Sequence, residues 1–197
     1  MQIRPVGPRA LLVEVAGPAE ALALAAHARA VGVGADEVVP AARTVLLDGV
    51  EDPAAAAAAL AGWRPGAPVP AGDLVEVPVR YDGPDLGWLA DAWGTSEDDV
   101  VARHSAIEFV SAFCGFAPGF AYLAGLPERL AVSRLDSPRT AVPAGAVALA
   151  GTWCGVYPTA SPGGWRLLGR TDLRLWDAER PSPALLAPGT RVRFVPA

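Results

Sequence analysis

Four short stretches of this chain combine residue types and spacings that suit chemistry, and all four lie beyond residue 100. The first is Cys114-Gly-Phe-Ala-Pro-Gly-Phe-Ala-Tyr-Leu-Ala-Gly-Leu-Pro127, in which small residues alternate with Phe116, Phe120 and Tyr122 around a central Pro118-Gly119. Aromatics at every second position suit one face of a strand, whereas Pro-Gly suits a type II turn with glycine at the position of positive φ. Both hold only if the backbone kinks. A kinked backbone lined by Gly115 and Gly119 lets a small ligand approach main-chain N–H groups that bulky side chains would screen. The alternative is a tight β-corner with Phe116, Phe120 and Tyr122 in the core.

The second stretch is Ser137-Pro-Arg-Thr-Ala-Val-Pro-Ala-Gly145, where Arg139 follows a fixed proline. A guanidinium held in this way suits capture of a carboxylate or phosphate, because its planar fork matches two oxygens at once. It is alternatively a surface arginine beside Asp136. The third is Ser161-Pro-Gly-Gly-Trp-Arg-Leu-Leu-Gly-Arg-Thr171, a turn at Pro162-Gly163 followed by Gly164, Trp165 and a strand ending at Arg170. Glycines beside an aromatic and an arginine suit a planar or anionic ligand, although the spacing is neither a phosphate-cradling loop nor a dinucleotide fingerprint. The fourth is His104-Ser105 at the end of a helix, where the dipole favours a histidine whether or not it transfers protons. Cys154 becomes a nucleophile only if His104 lies beside it, and otherwise is a buried, inert thiol.

The elements that must position these groups fall into two textures. Ala10–Val15 is a short apolar strand, and Gly17-Pro18 opens a helix running to about Val31, closed by Gly32 and Gly34. Strands over Glu37–Val39 and Thr44–Leu47 precede an alanine helix capped by Asp52-Pro53, and Leu74–Val79 alternates as a final strand. That order is β-α-β-β-α-β, a ferredoxin-like arrangement. The interval 62–72 is rich in proline and glycine and reads as a long loop.

Helices over Asp85–Trp93 and Glu97–His104 follow, the second with Ser96 and Asp99 in capping register. From Ile107 onward short strands alternate with Gly/Pro turns: 107–113, 120–123, 146–150, 165–168, 173–176 and 191–195, with one helical turn near 127–130. This texture predicts a β-barrel or sandwich. The chain thus reads as an α+β protein of two domains, 1–82 and 83–197.

Composition narrows the function classes. Of the 197 residues 52% are apolar, ample for a core, and the net charge of −5 arises with no lysine at all. No basic stripe points to nucleic acid, no apolar run approaches the roughly 18 residues of a membrane span, and no signal peptide opens the chain, so a soluble cytoplasmic protein is expected. Two isolated cysteines and two histidines have no metal-ligand spacing, so no metal is expected. There is also no paired-carboxylate motif and no G-x-S-x-G. The chain is expected to complete its site with a partner.

Taken in order, these motifs resemble the KipI / allophanate hydrolase subunit 1 family, of the prokaryotic 5-oxoprolinase B-subunit type. The similarity runs from Gly7–Glu14 (GPRALLVE) through Val77–Tyr81, Gly83–Leu86 (GPDL) and Arg103-His104-Ser105. It is strongest at Gly115–Leu123 (GFAPGFAYL), Pro138-Arg139 with Val142–Gly145, Val156-Tyr157-Pro158 and Ser161–Thr171. The resemblance implies a small α/β domain followed by a cyclophilin-like barrel. It further implies a sister protein of the allophanate hydrolase subunit 2 or 5-oxoprolinase C-subunit type and, as third component, the A subunit of 5-oxoprolinase.

Such an assembly opens 5-oxo-L-proline to L-glutamate with ATP, Mg-bound, as co-substrate. Carried over by motif, His104 and Arg139 would serve the reacting group. Gly115, Phe116, Pro118, Gly119, Phe120 and Tyr122, with Ser161, Gly163, Gly164, Trp165 and Arg170, would bind substrate or nucleotide. Other members imply other roles: inhibition of a histidine kinase, or carboxyltransferase-like processing of allophanate or urea derivatives. This chain departs from the family pattern at Ala146, where serine is usual, and at Trp153 and Cys154, where an amide and a hydroxyl are usual.

Overall fold

Alternating apolar residues and a few well-placed caps account for the N-terminal elements: β1 (Gln2–Pro5), β2 (Leu11–Glu14), α1 (Pro18–Ala30), β3 (Glu37–Pro40), β4 (Thr44–Asp48) and α2 (Pro53–Leu60). The computed structural model describes residues 1–66 and 72–197, and the chain divides into the compact units Met1–Ala71 and Gly72–Ala197. Of the long loop expected over 62–72, residues 67–71 lie outside those described.

In the first unit the strands form one antiparallel sheet in the order β1-β2-β4-β3. Leu11, Val13, Val45 and Leu47 turn one face inward, against Leu24 of α1 and Leu60 of α2. The Asp52 carboxylate accepts the N–H groups of Ala54 and Ala55, both at 3.0 Å, which satisfies donors that a helix start leaves open.

The strand expected to complete this unit goes elsewhere. Leu74–Val79, β5, pairs in parallel with β13 (Arg191–Pro196) in the second unit, and β1 stands beside β2 where a ferredoxin-like sheet would hold its last strand. Alternation in β5 announces a strand but not its partner, which lies more than a hundred residues away. β1 has no such signal. Its polar residues and terminal proline suit an exposed edge, where a missing N–H costs nothing. The division between units therefore falls ahead of β5, where the sequence places it at residue 82.

The second unit begins with β5, then α3 (Leu86–Trp93), α4 (Glu97–Ser105), β6 (Glu108–Cys114) and β7 (Ala121–Ala124). A 3-10 turn over Glu128–Leu130 leads to β8 (Arg139–Val142), β9 (Ala146–Ala150), β10 (Trp153–Val156), β11 (Ser161–Gly163), β12 (Arg166–Arg170) and β13. Seven strands form one sheet in the order β12-β9-β10-β7-β6-β13-β5. Its two edges approach at a bridge where Arg80 and Arg170 exchange N–H···O bonds of 2.9 Å each, leaving a nearly closed barrel. β8 and β11 pair as a separate two-stranded ribbon.

Phe109, Leu123, Leu149, Leu168 and Phe194 fill the barrel, and α3 and α4 pack together over it. Leu173–Trp176, expected as a strand, contributes only an isolated bridge from Trp176 to Ala184. In α4, Ser96 caps the N–H of Asp99 at 3.1 Å, and Val100 and His104 form the buried stripe.

Candidate functional site

The two side chains expected to act on the reacting group are both committed to the fold. His104 has 0% exposure and lies between Phe109 and Phe194, with ring centroids at 5.3 and 4.7 Å. Its Nδ1 is 2.8 Å from the Tyr81 hydroxyl, and its Nε2 is 3.4 Å from Cys154 Sγ. The phenol can donate to Nδ1 while Nε2–H points at the sulfur. Burial pushes the imidazole down to about 3, so it is neutral across the physiological range, and burial raises both the Tyr81 hydroxyl and the Cys154 thiol. His104 and Cys154 do meet, yet a neutral imidazole against a protonated, inaccessible thiol is no nucleophile pair. This contact fastens the end of β5 and α4 to β10.

Arg139 captures a carboxylate, but an internal one. Its Nη2 donates to both oxygens of Asp85, each at 2.9 Å, and its Nη1 donates to the Trp165 carbonyl at 3.3 Å. Asp85 is 6% exposed; it also accepts the Leu167 N–H at 2.7 Å, and Arg166 stands 4.0 Å away with its guanidinium over the Trp88 ring. One carboxylate at the start of α3 thereby ties together β8, β12 and the helix. Asp85 belongs to the Gly83–Leu86 motif, but nothing local to that motif signals a partner 54 residues away.

The opening aromatic stretch folds as its composition requires. Phe120 N–H donates to the Ala117 carbonyl at 2.9 Å, and Gly119 has φ of +86°, which a type II turn reserves for glycine. A β-carbon at Gly119 would also stand 2.8 Å from Cβ of Trp176. The Gly115 N–H is spent on the Phe120 carbonyl at 3.1 Å, so it is not the open donor that the motif suggests. Phe116, by contrast, is the one non-glycine with positive φ among the described residues, at +69°, and the residue is 61% exposed. Pro118 is exposed beside it.

Phe120, Tyr122 and Trp165 do come together, but as a buried core cluster: Phe120 and Trp165 are 2% and 7% exposed and Tyr122 is half-buried. Of the three aromatics in the motif only Phe116 stays outside, so for Phe120 the core alternative holds. Phe120 meets Tyr122, Tyr157 and Trp165 edge-to-face at 5.1 to 5.4 Å, and Tyr122 stacks on Phe113 at 4.4 Å. Trp153 packs edge-on against Tyr122 and Phe113, filling space beside the wall with an indole. Phe116 extends the wall outward through contacts with Phe120 and Tyr157.

Beneath it, Gly163 has no room for a β-carbon, which would collide with the Tyr157 hydroxyl. Burial raises that hydroxyl, while a hydrogen bond with the Trp165 backbone and the charge of Arg134 pull the other way. The Ser161 hydroxyl is buried without a partner. The signal for Tyr157 is present in the Val156-Tyr157-Pro158 motif; Arg134 has none.

Arg170 is not part of this face. It sits at the far end of β12, roughly 13 Å from Arg166 along an extended strand, paired with Asp82 at 2.7 Å. It lines a separate cleft of about 290 Å³ with Arg80 and Leu173. Among the described residues, no three His, Cys, Asp or Glu side chains converge as a metal centre needs, and no helix is long and apolar enough to cross a membrane.

The chain matches the family described as carboxyltransferase domain, subdomain C and D, over residues 1–186. It is similar to the 5-oxoprolinase B subunit of Escherichia coli O157:H7, at 51% identity over 130 residues, covering 64% of this chain and 60% of that protein. The protein of the same name from Bacillus subtilis (strain 168) is 44% identical over 125 residues, 62% of this chain and 52% of the relative. The aligned stretch thus spans little more than half of each relative's length.

Among solved structures, TTHA0988 superposes with a TM-score of 0.82 at 34% identity, over 96% of this chain and 40% of that one. PH0987 from Pyrococcus horikoshii superposes at 0.59 and 33% identity, over 100% and 97% of the two chains. The Kluyveromyces lactis urea carboxylase, at 20% identity and 0.74 over 99% of this chain and 21% of that one, shares the fold. With its motifs, its barrel and its matches in agreement, the chain belongs to the carboxyltransferase-domain family, subdomain C and D.

Proposed function

We propose that this chain is the B-type component of an ATP-dependent 5-oxoprolinase, opening 5-oxo-L-proline to L-glutamate together with sister subunits. The observation that carries the reading is the 41–51% identity to three proteins named as 5-oxoprolinase B subunits. The exposed Phe116 ring supports it: a small, flat lactam suits an open aromatic surface that a buried aromatic cluster backs. The nearly closed barrel is read here as cyclophilin-like, as the family resemblance implies. ATP, magnesium-bound, activates the lactam oxygen by phosphorylation, so the ring carbonyl becomes hydrolysable. Its home is then the cytoplasm, where that nucleotide is abundant.

Within this reading His104 and Arg139 are positioning residues, since neither offers a free polar group to a ligand, and Arg170 serves a neighbouring surface. The sister subunits, one of the C type and a third of the A type, then supply most of the groups that meet the reacting charges, because most of this chain's arginines are paired with carboxylates. Co-expression with those subunits and measurement of 5-oxoproline-dependent ADP release tests the reading. A stable complex with substrate-dependent turnover is expected; a complex whose ATP turnover ignores 5-oxoproline overturns it.

A further inference from the structure

Two arginines flank the Trp165 turn, and they differ in one respect that decides which can hold a ligand. Both Arg139 bonds to Asp85 are short and partly buried, so releasing them would strand a carboxylate that is 6% exposed. Arg134 has no such tie. Among the described residues it takes part in no ion pair or side-chain hydrogen bond, and it is exposed.

Its backbone is nonetheless held firmly. Val132 and Gly151 exchange two bonds of 3.1 and 2.7 Å, the Ser133 carbonyl accepts from Arg166 Nε at 3.2 Å, and Leu135 N–H donates to the Gly164 carbonyl at 2.8 Å. The guanidinium lies over the glycine turn, where a β-carbon on Gly164 would stand 3.6 Å from Nη2. A long cationic side chain fixed at its root, free at its tip and backed by glycine is pre-organised for an oxyanion.

Phe116 stands beside the same Tyr157, whose hydroxyl lies within reach of the Arg134 charge. Its ring centroid is 6.1 Å from that of Tyr157, and it is exposed on a backbone that a bulky residue adopts only under strain. Strain of this kind persists where the surroundings impose it, and it clusters at ligand clamps.

We propose that Arg134, rather than Arg139, binds the oxyanion group of the ligand, carboxylate or phosphoryl, while the exposed Phe116 ring covers the ligand's flat apolar part. Applied to the proposed activity, on which this assignment to substrate or nucleotide rests, the group is the carboxylate of 5-oxo-L-proline or a phosphate of ATP. Arg134→Ala removes an unpaired surface side chain and leaves the fold intact, so its effect is read directly.

In the assembled complex, Arg134→Ala is expected to raise KM roughly ten- to hundredfold for one of the two substrates. A rise confined to 5-oxo-L-proline identifies the carboxylate, and one confined to ATP identifies a phosphoryl group. Arg129→Ala, at an exposed arginine on the 3-10 turn, is the control and leaves both unchanged. Should the wild-type complex show no 5-oxoproline-dependent turnover, the functional reading fails while the site stays testable. The full chain is then titrated with 5-oxo-L-proline and with inorganic phosphate, following its intrinsic tryptophan fluorescence, to which Trp153 and Trp165 near the proposed site contribute. Saturable quenching lost in Arg134→Ala and kept in Arg129→Ala supports the proposal. KM values within twofold of wild type for both substrates, or fluorescence that neither probe changes or that Arg134→Ala leaves intact, overturns it.

Discussion

The polar chain through His104 and the aromatic face around Phe116 lie in the same unit and are built in opposite ways. Around His104 the donors and acceptors meet each other, Tyr81 on one ring nitrogen and Cys154 on the other, inside a shell of phenylalanine. At Phe116 the backbone is strained, the ring is exposed, and a neighbouring guanidinium has no partner among the described residues. A satisfied buried network specifies a fold, whereas unsatisfied, exposed groups are left for something outside the chain. Reactive residue types therefore mark the core here, and an exposed aromatic marks the face proposed for the ligand.

The Asp85 cluster gives the sharpest test of that contrast. It resembles a binding site in its residue types, an arginine fork on a carboxylate, yet it is closed on itself. Asp85→Ala should cost roughly 3 to 5 kcal/mol of stability, because it leaves the Arg139 charge and the Leu167 N–H without their acceptor. Arg134→Ala should stay within about 0.5 kcal/mol of wild type. Urea unfolding of the two variants measures both; a loss below about 1 kcal/mol for Asp85→Ala would break the division between closed and open polar groups.

Next in size is the effect of acid. The folded imidazole of His104 titrates near 3 and an exposed one near 6.5, so over that window the unfolded chain binds the extra proton. The contribution is complete above about pH 6.5 and drains as pH falls toward 3, by up to about 1.4 kcal/mol per pH unit. Tyr81 and Cys154 stay protonated throughout and do not contribute. His104→Leu should cost roughly 2 kcal/mol at pH 7, since the half-buried Tyr81 hydroxyl and the buried Cys154 thiol lose their partner, and should flatten the acid limb of the stability profile. An unchanged limb in the variant would assign the acid sensitivity to carboxylates instead.

Much of the architecture is readable from the sequence because it depends on local chemistry. Asp52 and Ser96 cap helices where their side chains reach N–H groups two and three residues on, and Pro118-Gly119 turns as that dipeptide must. What escapes is long-range choice. β5 alternates like any half-buried strand, and only β13 at the far end of the chain decides which sheet receives it. Arg139 carries the same side chain whether it faces a ligand or Asp85, and its local sequence does not contain the carboxylate that claims it. His104 likewise keeps its repertoire on paper until Phe109 and Phe194 close over it. The aromatic motif is readable as a kink, but which of its rings stays outside depends on Tyr157 and Trp165, packed from other segments.

The smallest expected change in stability belongs to the residue whose contribution is most outward. In Phe116→Asn, relief of a positive φ that asparagine tolerates contributes roughly 1 kcal/mol, and loss of two edge-to-face contacts removes a similar amount. The opposing terms nearly cancel, so the unfolding midpoint should barely move. Ligand affinity should still fall, because the ring that covers the apolar part of the ligand is gone. A flat stability profile with weakened binding places Phe116 on the working face. A loss above about 2 kcal/mol would instead make the ring a fastening of the wall, with the strained backbone serving packing rather than recognition.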